Sequence, residues 1–248
     1  MGLTERTATL RTVSIDRGDG ANSVDEAMVA RLHEALDRAE ADPDCRMLLI
    51  TSGDGVFSTG MNLAAAASGE APEAAGRAFF DLMRRFTGVP LMVAAHVDGQ
   101  VAGGGVGLVA ACDLVLASER STFALPEALW GLLPCCVLPF LVRRIGFQRA
   151  YAMTLTTRPV PAADAARSGL ADEVAADLTG PVRRLAYRAG KLDTATVAAL
   201  KRYAGALWPV TAETRELAVG ELGRLMATPA VHERLTAFAE SGRLPWDR

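Results

Sequence analysis

Lysine is nearly missing from this chain of 248 residues. It occurs only at Lys191 and Lys201, so arginine supplies almost all of the 26 basic residues. Both lysines lie in the last third of the chain. The sequence therefore excludes a catalytic lysine from the first 190 residues.

Cysteine and histidine are scarce as well, with four and three residues respectively. The cysteines have no metal-ligand spacing, and Cys135 and Cys136 are adjacent, which is poor geometry for an ordinary disulfide. We therefore expect reduced cysteines, no metal and a cytoplasmic protein. Cys135 and Cys136 are interpreted as small apolar residues of a pocket wall, because no activating base or cation is visible beside them.

Long apolar runs and basic patches are also missing. No apolar stretch reaches the roughly 18 residues that a membrane-spanning helix needs, and segment 1–13 lacks the apolar core of a signal peptide. The formal net charge is −3, without the basic stripe that is typical of nucleic-acid-binding proteins. We expect neither nucleic acid nor a membrane among the partners.

Strand and helix patterns alternate through the first half of the chain, and helical patterns dominate from about Phe147 onward. Ser23 and Glu26 have the spacing of a capping box and predict the start of the first helix. Pro161 and Gly169 are expected to begin and end a later helix. This order predicts an α/β fold, in which a covered sheet is followed by a helical extension.

The segment 99–118, GQVAGGGVGLVAACDLVLAS, places three consecutive glycines and a fourth at Gly107 between apolar runs. Glycine at a helix start costs stability, so these positions need a reason. One explanation is the close packing of a helix against a strand. A dinucleotide fingerprint over 105–110 is disfavoured, because the helix would have only about ten residues. A third explanation is an anion site, in which free N–H groups at the start of the helix stabilise an enolate oxygen.

Three blocks follow one another with the order and spacing of a known family. They are FSTGMNL at 57–63, the glycine segment, and STFALPEALWGLLP at 121–134, and SGLADEV at 168–174 forms a later match. Together they resemble the crotonase (enoyl-CoA hydratase/isomerase) superfamily over nearly the whole chain. Each block alone would be weak evidence.

The resemblance implies a spiral of ββα units, placed at residues 1–190, and a C-terminal helical region, 191–248, that builds homotrimers or hexamers. It also implies an oxyanion hole of two backbone N–H groups, which the motif positions assign to Met61 and Gly104. The substrate would be an acyl thioester, carried on coenzyme A or on the phosphopantetheine of an acyl carrier protein, with no further cofactor.

Hydratases of this family often use two glutamates, and the motif positions correspond to Glu127 and Gly107. One acid is therefore present and the other is missing. Glu127 lies in an apolar stretch, where desolvation would raise its pKa toward neutrality and suit it to acid/base work. The structural alternative is a glutamate that caps a helix after Pro126.

The segment 130–160 and the C-terminal ESGRLPWD narrow the resemblance to the dehydratases of polyketide β-branching. Those enzymes remove water from 3-hydroxy-3-methylglutaryl-acyl carrier protein and give 3-methylglutaconyl-acyl carrier protein. Their decarboxylating sister enzymes resemble crotonases with a lysine in the loop after the first oxyanion residue. Segment 62–76 has none, so dehydration is favoured over decarboxylation. Two competing hypotheses are an enoyl-thioester hydratase or isomerase, and a non-catalytic trimer that binds acyl carrier protein.

Four further residues are candidates for substrate binding. Asn62 adjoins the first oxyanion residue, and His96 lies near the end of the strand that leads to the glycines. Arg84 and Arg85 are candidates for the distal carboxylate, which arginine binds in a bidentate manner. The structural alternatives are a loop-closing side chain for Asn62, a structural histidine for His96 and a solvated helix face for the arginine pair.

Overall fold

The computed structural model describes residues 8–53, 55–62 and 72–247. The strands within these residues are β1 Leu10–Ser14, β2 Met47–Thr51, β3 Val56–Ser58, β4 Met92–Val97, β5 Gln100–Ala102, β6 Leu114–Ser118, β7 Thr122–Ala124, β8 Val160–Pro161 and β9 Glu173–Ala175. The helices are α1 Glu26–Ala41, α2 Pro72–Phe86, α3 Gly104–Ala111, α4 Leu138–Ile145, α5 Phe147–Thr156, α6 Ala162–Ser168, α7 Thr179–Ala189, α8 Thr194–Leu207, α9 Ala212–Met226 and α10 Pro229–Ser241. A single 3-10 turn, Glu127–Trp130, follows β7.

The strands form two sheets. The larger sheet has five parallel strands in the order β1-β2-β4-β6-β9. The smaller has the order β3-β5-β7-β8, in which only β8 runs antiparallel to its neighbour. Strand β2, MLLIT, is buried at its first four positions, as expected of a parallel strand covered on both faces.

Successive strand pairs divide between the two sheets. In β2–β3–α2 and again in β4–β5–α3, the first strand joins the larger sheet, the second joins the smaller sheet, and a helix follows. The pair β6–β7 repeats this path and leads into the 3-10 turn. The α/β architecture of repeated ββα units is thus confirmed.

Helix α2 shows how apolar spacing positions the layers. Phe79, Phe80, Met83 and Phe86 are all buried along one face of this helix, at the spacing of about 3.6 residues that brings side chains together. Phe80 packs edge-on against Phe140 of α4, with the ring centroids 5.1 Å apart. Helix α2 is thereby fixed over the core.

Two helix boundaries test the sequence signals. Pro161 and Gly169 bracket α6 as predicted. The capping box of Ser23 and Glu26 is wrong: Asp25 is the N-cap of α1, and its side chain accepts a hydrogen bond from the Met28 N–H at 2.9 Å. Aspartate three residues before an N–H donor provides the same capping bond as serine, so the helix begins two residues later than predicted.

Helices α8 to α10 occupy residues 194–241 and form the predicted helical C-terminal region. None of the helices in the described residues has the length and apolarity to cross a membrane. Large apolar side chains remain exposed on α8, where Leu200, Tyr203 and Leu207 are 63%, 66% and 66% accessible.

Lys201 anchors α8 to the rest of the protein. Its buried Nζ lies 2.6 Å from Asp113 Oδ2 and donates hydrogen bonds of 2.8 Å to the carbonyls of Phe86 and Leu91. Asp113 also accepts a hydrogen bond from the Val93 N–H at 2.7 Å. Burial lowers the pKa of Lys201 and raises that of Asp113, while their mutual attraction opposes both shifts.

Replacing Lys201 by methionine should destabilise the fold by about 3 kcal/mol, because it leaves the partly buried carboxylate of Asp113 and two carbonyls without their donor. The matched control is Lys191→Met, since Lys191 is exposed and stands 4.8 Å over the Tyr187 ring. Urea unfolding measures both variants. The Lys201→Met/Asp113→Asn double variant should recover part of the loss, and equal losses for the two lysines would contradict the anchor.

Candidate active site

Two glycine turns meet at the end of the smaller sheet. Gly60 follows β3 with φ +89°, and Gly103 follows β5 with φ +50°, a region that side chains rarely adopt. A Cβ on Gly60 would lie 2.9 Å from the Ala102 oxygen, and one on Gly103 would lie 3.6 Å from the Gly60 Cα and 3.2 Å from Glu127 Oε1. The turns and the carboxyl group therefore converge on one point.

The predicted oxyanion residues directly follow these turns. Met61 forms a parallel bridge with Val24, whose N–H donates to the Gly60 carbonyl at 2.8 Å. Gly104 is the first residue of α3, directly after the N-cap Gly103. The first N–H groups of a helix have no intrahelical acceptor. The fold thus brings both backbone segments to the junction, and the use of their amides as an oxyanion hole stays a prediction.

Glu127 is the first residue of the 3-10 turn after β7, and Pro126 precedes it as the N-cap. Its Oε2 is buried and has no hydrogen-bond partner among the described residues. Burial raises the pKa of Glu127 to about 7, against which its own backbone N–H acts only weakly. A carboxyl group with this pKa both accepts and donates a proton near neutral pH, and the use of Glu127 as the acid/base stays a prediction.

Gly107, the position of the missing second acid, is enclosed by apolar groups. A Cβ there would lie 2.9 Å from Val137 Cγ2, 3.0 Å from Met83 Sδ and 3.3 Å from Phe79 Cζ. A side chain at this position would require these three groups to move, so a glycine suits the packing here and the second acid is absent. Gly105 has a packing role too, because its Cβ would lie 2.8 Å from the Ser58 Cβ.

The two adjacent cysteines directly precede Val137, one of the apolar groups around Gly107. Cys136 is buried, with its Sγ 3.7 Å from the Gly76 carbonyl, and burial raises its pKa to about 12. Cys135 has a pKa raised to about 11 by burial, with further contributions from Glu221 and Glu127. Both thiols are therefore protonated near neutral pH, as expected of wall residues.

Asn62 and His96 occupy different surroundings. Asn62 is exposed and adjoins Met61. His96 lies in β4, where its Nδ1 is 3.3 Å from Thr51 Oγ1. Burial lowers the pKa of His96, and the charges of Asp98 and Asp177 oppose that shift. These partners belong to the larger sheet and its ends, so the structure does not bring His96 together with Glu127.

The two arginines of α2 also face different neighbours. Arg85 Nη2 lies 2.6 Å from both Asp37 Oδ1 and Glu40 Oε2, which are carboxylates of α1. Arg84 is more exposed, and its Nη2 is 3.4 Å from Asp81 Oδ1. The guanidinium of Arg85 is thus engaged in packing against α1, and Arg84 lies on the solvated helix face that was the structural alternative for the pair.

Sequence reasoning missed the contribution of the C-terminal helix. Trp130, at the end of the turn that carries Glu127, forms a cluster with Val231 and Leu235 of α10, against which Met61 also packs. Arg234 Nη1 donates a hydrogen bond to the Trp130 carbonyl at 3.1 Å. The sequence holds no local signal for this contact, because about a hundred residues separate its partners.

Comparisons with known proteins agree with this geometry. Residues 5–248 match the enoyl-CoA hydratase/isomerase family. The bacillaene synthase dehydratase PksH of Bacillus subtilis (strain 168) is 33% identical over 168 residues, which are 68% of this chain and 65% of PksH. Carnitinyl-CoA dehydratase of Proteus mirabilis (strain HI4320) is 34% identical over 90% of this chain and 84% of its own.

A crystal structure described as a polyketide biosynthesis enoyl-CoA hydratase from Bacillus subtilis, PksH, superimposes with a TM-score of 0.89. It is 26% identical and covers 96% of each chain. The chain therefore belongs to the enoyl-CoA hydratase/isomerase, or crotonase, family. It is a lyase-type enzyme, as its hydratase and dehydratase relatives indicate.

The pH dependence of the free energy of unfolding should show how unfavourable the ionised form of Glu127 is in the folded protein. Its pKa is about 7 in the folded protein and 4.5 ordinarily, so only the folded state holds this proton between those pH values. Stability due to this group therefore falls as the pH rises from about 4.5 to about 7. Glu127→Gln removes the cost, so the variant should gain on the wild type by up to about 3 kcal/mol between pH 4.5 and pH 8.

Urea unfolding at a series of pH values measures that gain. The control is Glu119→Gln, because Glu119 is exposed and should show no pH-dependent gain. A constant difference between Glu127→Gln and the wild type across this range would show that Glu127 titrates normally.

Proposed function

We propose that this enzyme dehydrates 3-hydroxy-3-methylglutaryl-acyl carrier protein to 3-methylglutaconyl-acyl carrier protein during polyketide β-branching. The observation that carries the proposal is one buried carboxyl group, Glu127, at the junction of two glycine turns, with a glycine, Gly107, at the second acid position. The similarity to the dehydratase PksH supports the substrate class.

The reaction begins with the thioester carbonyl against the two turns. The amides of Met61 and Gly104 stabilise the negative charge that develops on the carbonyl oxygen. This stabilisation makes the proton on the neighbouring α-carbon acidic, and the carboxylate of Glu127 accepts it. The electron pair of the C–H bond forms the enolate.

The enolate then collapses. A double bond forms between the α- and β-carbons, the bond between the β-carbon and its hydroxyl breaks, and the departing oxygen takes the proton back from Glu127 as water. One carboxyl group serves both proton transfers when elimination is syn. This single-acid route fits the position of Gly107, which carries no acid and packs against Val137, Met83 and Phe79.

The proposal also includes the carrier of the acyl group and the location of the enzyme. We infer that the acyl group arrives on the phosphopantetheine of an acyl carrier protein and not on coenzyme A, in line with the polyketide pathways named for the relatives. No resident cofactor takes part in this chemistry. Four free thiols are consistent with the proposed cytoplasmic location.

Intact-protein mass spectrometry of a carrier protein loaded with 3-hydroxy-3-methylglutaryl tests the reaction. The enzyme should remove the mass of one water, and Glu127→Gln should slow this by about 10²–10⁴-fold, the usual contribution of a general acid/base. Glu119→Gln is the matched control and should retain activity.

The masses of the products distinguish the competing reactions. A further loss of carbon dioxide without a partner enzyme would identify a decarboxylase. Turnover of the coenzyme A ester alone would overturn the carrier assignment. No mass change on either carrier would overturn the dehydratase proposal and favour an isomerase or a binding role, and full activity of Glu127→Gln would remove Glu127 from the mechanism.

We also propose a homotrimeric assembly, or a hexamer of paired trimers. Leu200, Tyr203 and Leu207 lie at helical spacing along α8, and each is more than 60% accessible in the single chain. An apolar face of this kind is typical of a surface that a second subunit covers.

Sedimentation equilibrium measures the assembly. The wild type should have a mass of three or six times 26.1 kDa. The double variant Leu200→Glu/Leu207→Glu should dissociate, because it places charges on the covered face. A monomeric wild type at micromolar concentration would contradict the assembly.

A further inference from the structure

The regular backbone segment that carries Glu127 is very short. The 3-10 turn Glu127–Trp130 has one turn only, and Gly131 ends it with φ +81°. Turns of this type have poorer hydrogen-bond geometry than an α-helix, and their last carbonyls lack internal partners. The start of the turn is held by its own backbone, because the Leu132 N–H donates to the Glu127 carbonyl at 3.0 Å. The end of the turn, at Trp130, depends on neighbours for its position.

The carboxyl group has little to hold it directly. Its Oε2 is buried and has no hydrogen-bond partner in the described residues. The position of the carboxyl group therefore depends on the packing around the side chain and on the backbone from which the side chain starts. A contact that holds this backbone helps to hold the acid.

Helix α10 supplies such a contact. Arg234 Nη1 donates a hydrogen bond of 3.1 Å to the carbonyl of Trp130, the last residue of the turn. The fit is tight: a Cβ on Gly131 would collide with Arg234 Nη1 and would lie 3.2 Å from Val231 Cγ2. The guanidinium thus occupies the space that any other residue at the end of the turn would fill.

Aromatic packing holds the same residue from its side chain. Trp130 is 5% exposed. Its ring meets Phe238 of α10 edge-on at a centroid distance of 5.1 Å, and Trp246 of the C-terminal tail at 6.2 Å. Met61 packs on the same cluster, so the C-terminal segment contacts the turn that carries the acid and the first predicted oxyanion residue together.

We propose that Arg234 is a positioning residue, which holds the turn of Glu127 through the Trp130 carbonyl and so keeps the carboxyl group aimed at the junction of the two glycine turns. The role of Glu127 in turnover, on which this inference rests, is that of the proposed function. In this proposal Arg234 acts through its hydrogen bond to the Trp130 carbonyl and not through contact with the carboxyl group.

The test compares Arg234→Met, which keeps the apolar stem but loses the donor, with Arg234→Lys, which keeps one donor. The matched control is Arg243→Met, in the exposed tail of the same segment. Arg234→Met should lower kcat by about 10–100-fold with KM within about twofold, because a small displacement of a catalytic group has this cost. Arg234→Lys should recover part of kcat, and Arg243→Met should match the wild type.

A second readout needs no activity. Difference infrared spectroscopy against Glu127→Gln follows the carboxyl stretch of Glu127 through a pH titration. In Arg234→Met the midpoint should move down from about 7 toward 4.5, because a loosened turn admits water. Loss of a nearby positive charge would move it up, so the direction separates the two causes. The nearby Cys135 thiol has a pKa raised to about 11, so it does not change its protonation over the pH range in which Glu127 titrates.

The results have distinct meanings. Wild-type kcat together with a wild-type midpoint in Arg234→Met overturns the positioning role. A lower kcat with an unchanged midpoint and a lower Tm also overturns it, because general destabilisation explains that pattern. If the wild type converts no acyl thioester, the proposed dehydration fails, and the infrared midpoint still decides whether Arg234 positions Glu127.

Discussion

The carboxyl group of Glu127 lies where its charged form is unfavourable, and burial moves its pKa from 4.5 to about 7. Much of the surrounding structure keeps this carboxyl group buried. The smaller sheet brings the ends of β3, β5 and β7 to one place, and the C-terminal helix α10 packs over the turn that follows β7. A residue that is costly to bury is thus enclosed by elements from distant parts of the chain, which is how proteins commonly tune an acid/base group.

The glycine segment serves two physical purposes within ten residues. Gly103 adopts a backbone conformation that side chains rarely enter, and it lets the chain pass close to Gly60 and Glu127. Gly105 and Gly107 instead allow α3 to pack tightly against Ser58 and the side chains of α2. Close packing and an anion site both account for the glycines at the level of sequence. The structure shows that packing explains Gly105 and Gly107, while the turn at Gly103 remains available for the anion.

Local signals in the sequence predicted much of this arrangement. The α/β architecture, the helix between Pro161 and Gly169 and the apolar environment of Glu127 were predictable, because each depends on neighbouring residues. The N-cap at Asp25 was missed because serine and aspartate make the same capping bond and both precede α1. The partners of Arg85 and the contact of Arg234 with the Trp130 carbonyl were not predictable, since they join residues about 50 and about 100 positions apart and follow from tertiary packing alone.

The enclosure of Gly107 has a consequence for how such a site changes during evolution or design. Three side chains, from Phe79, Met83 and Val137, fill the space that a second carboxyl group would need. Introducing an acid there displaces side chains on α2 and on the segment before α4, and such overpacking is destabilising until the neighbours adjust. The number of acids in the site is therefore coupled to the packing of two other elements of the fold.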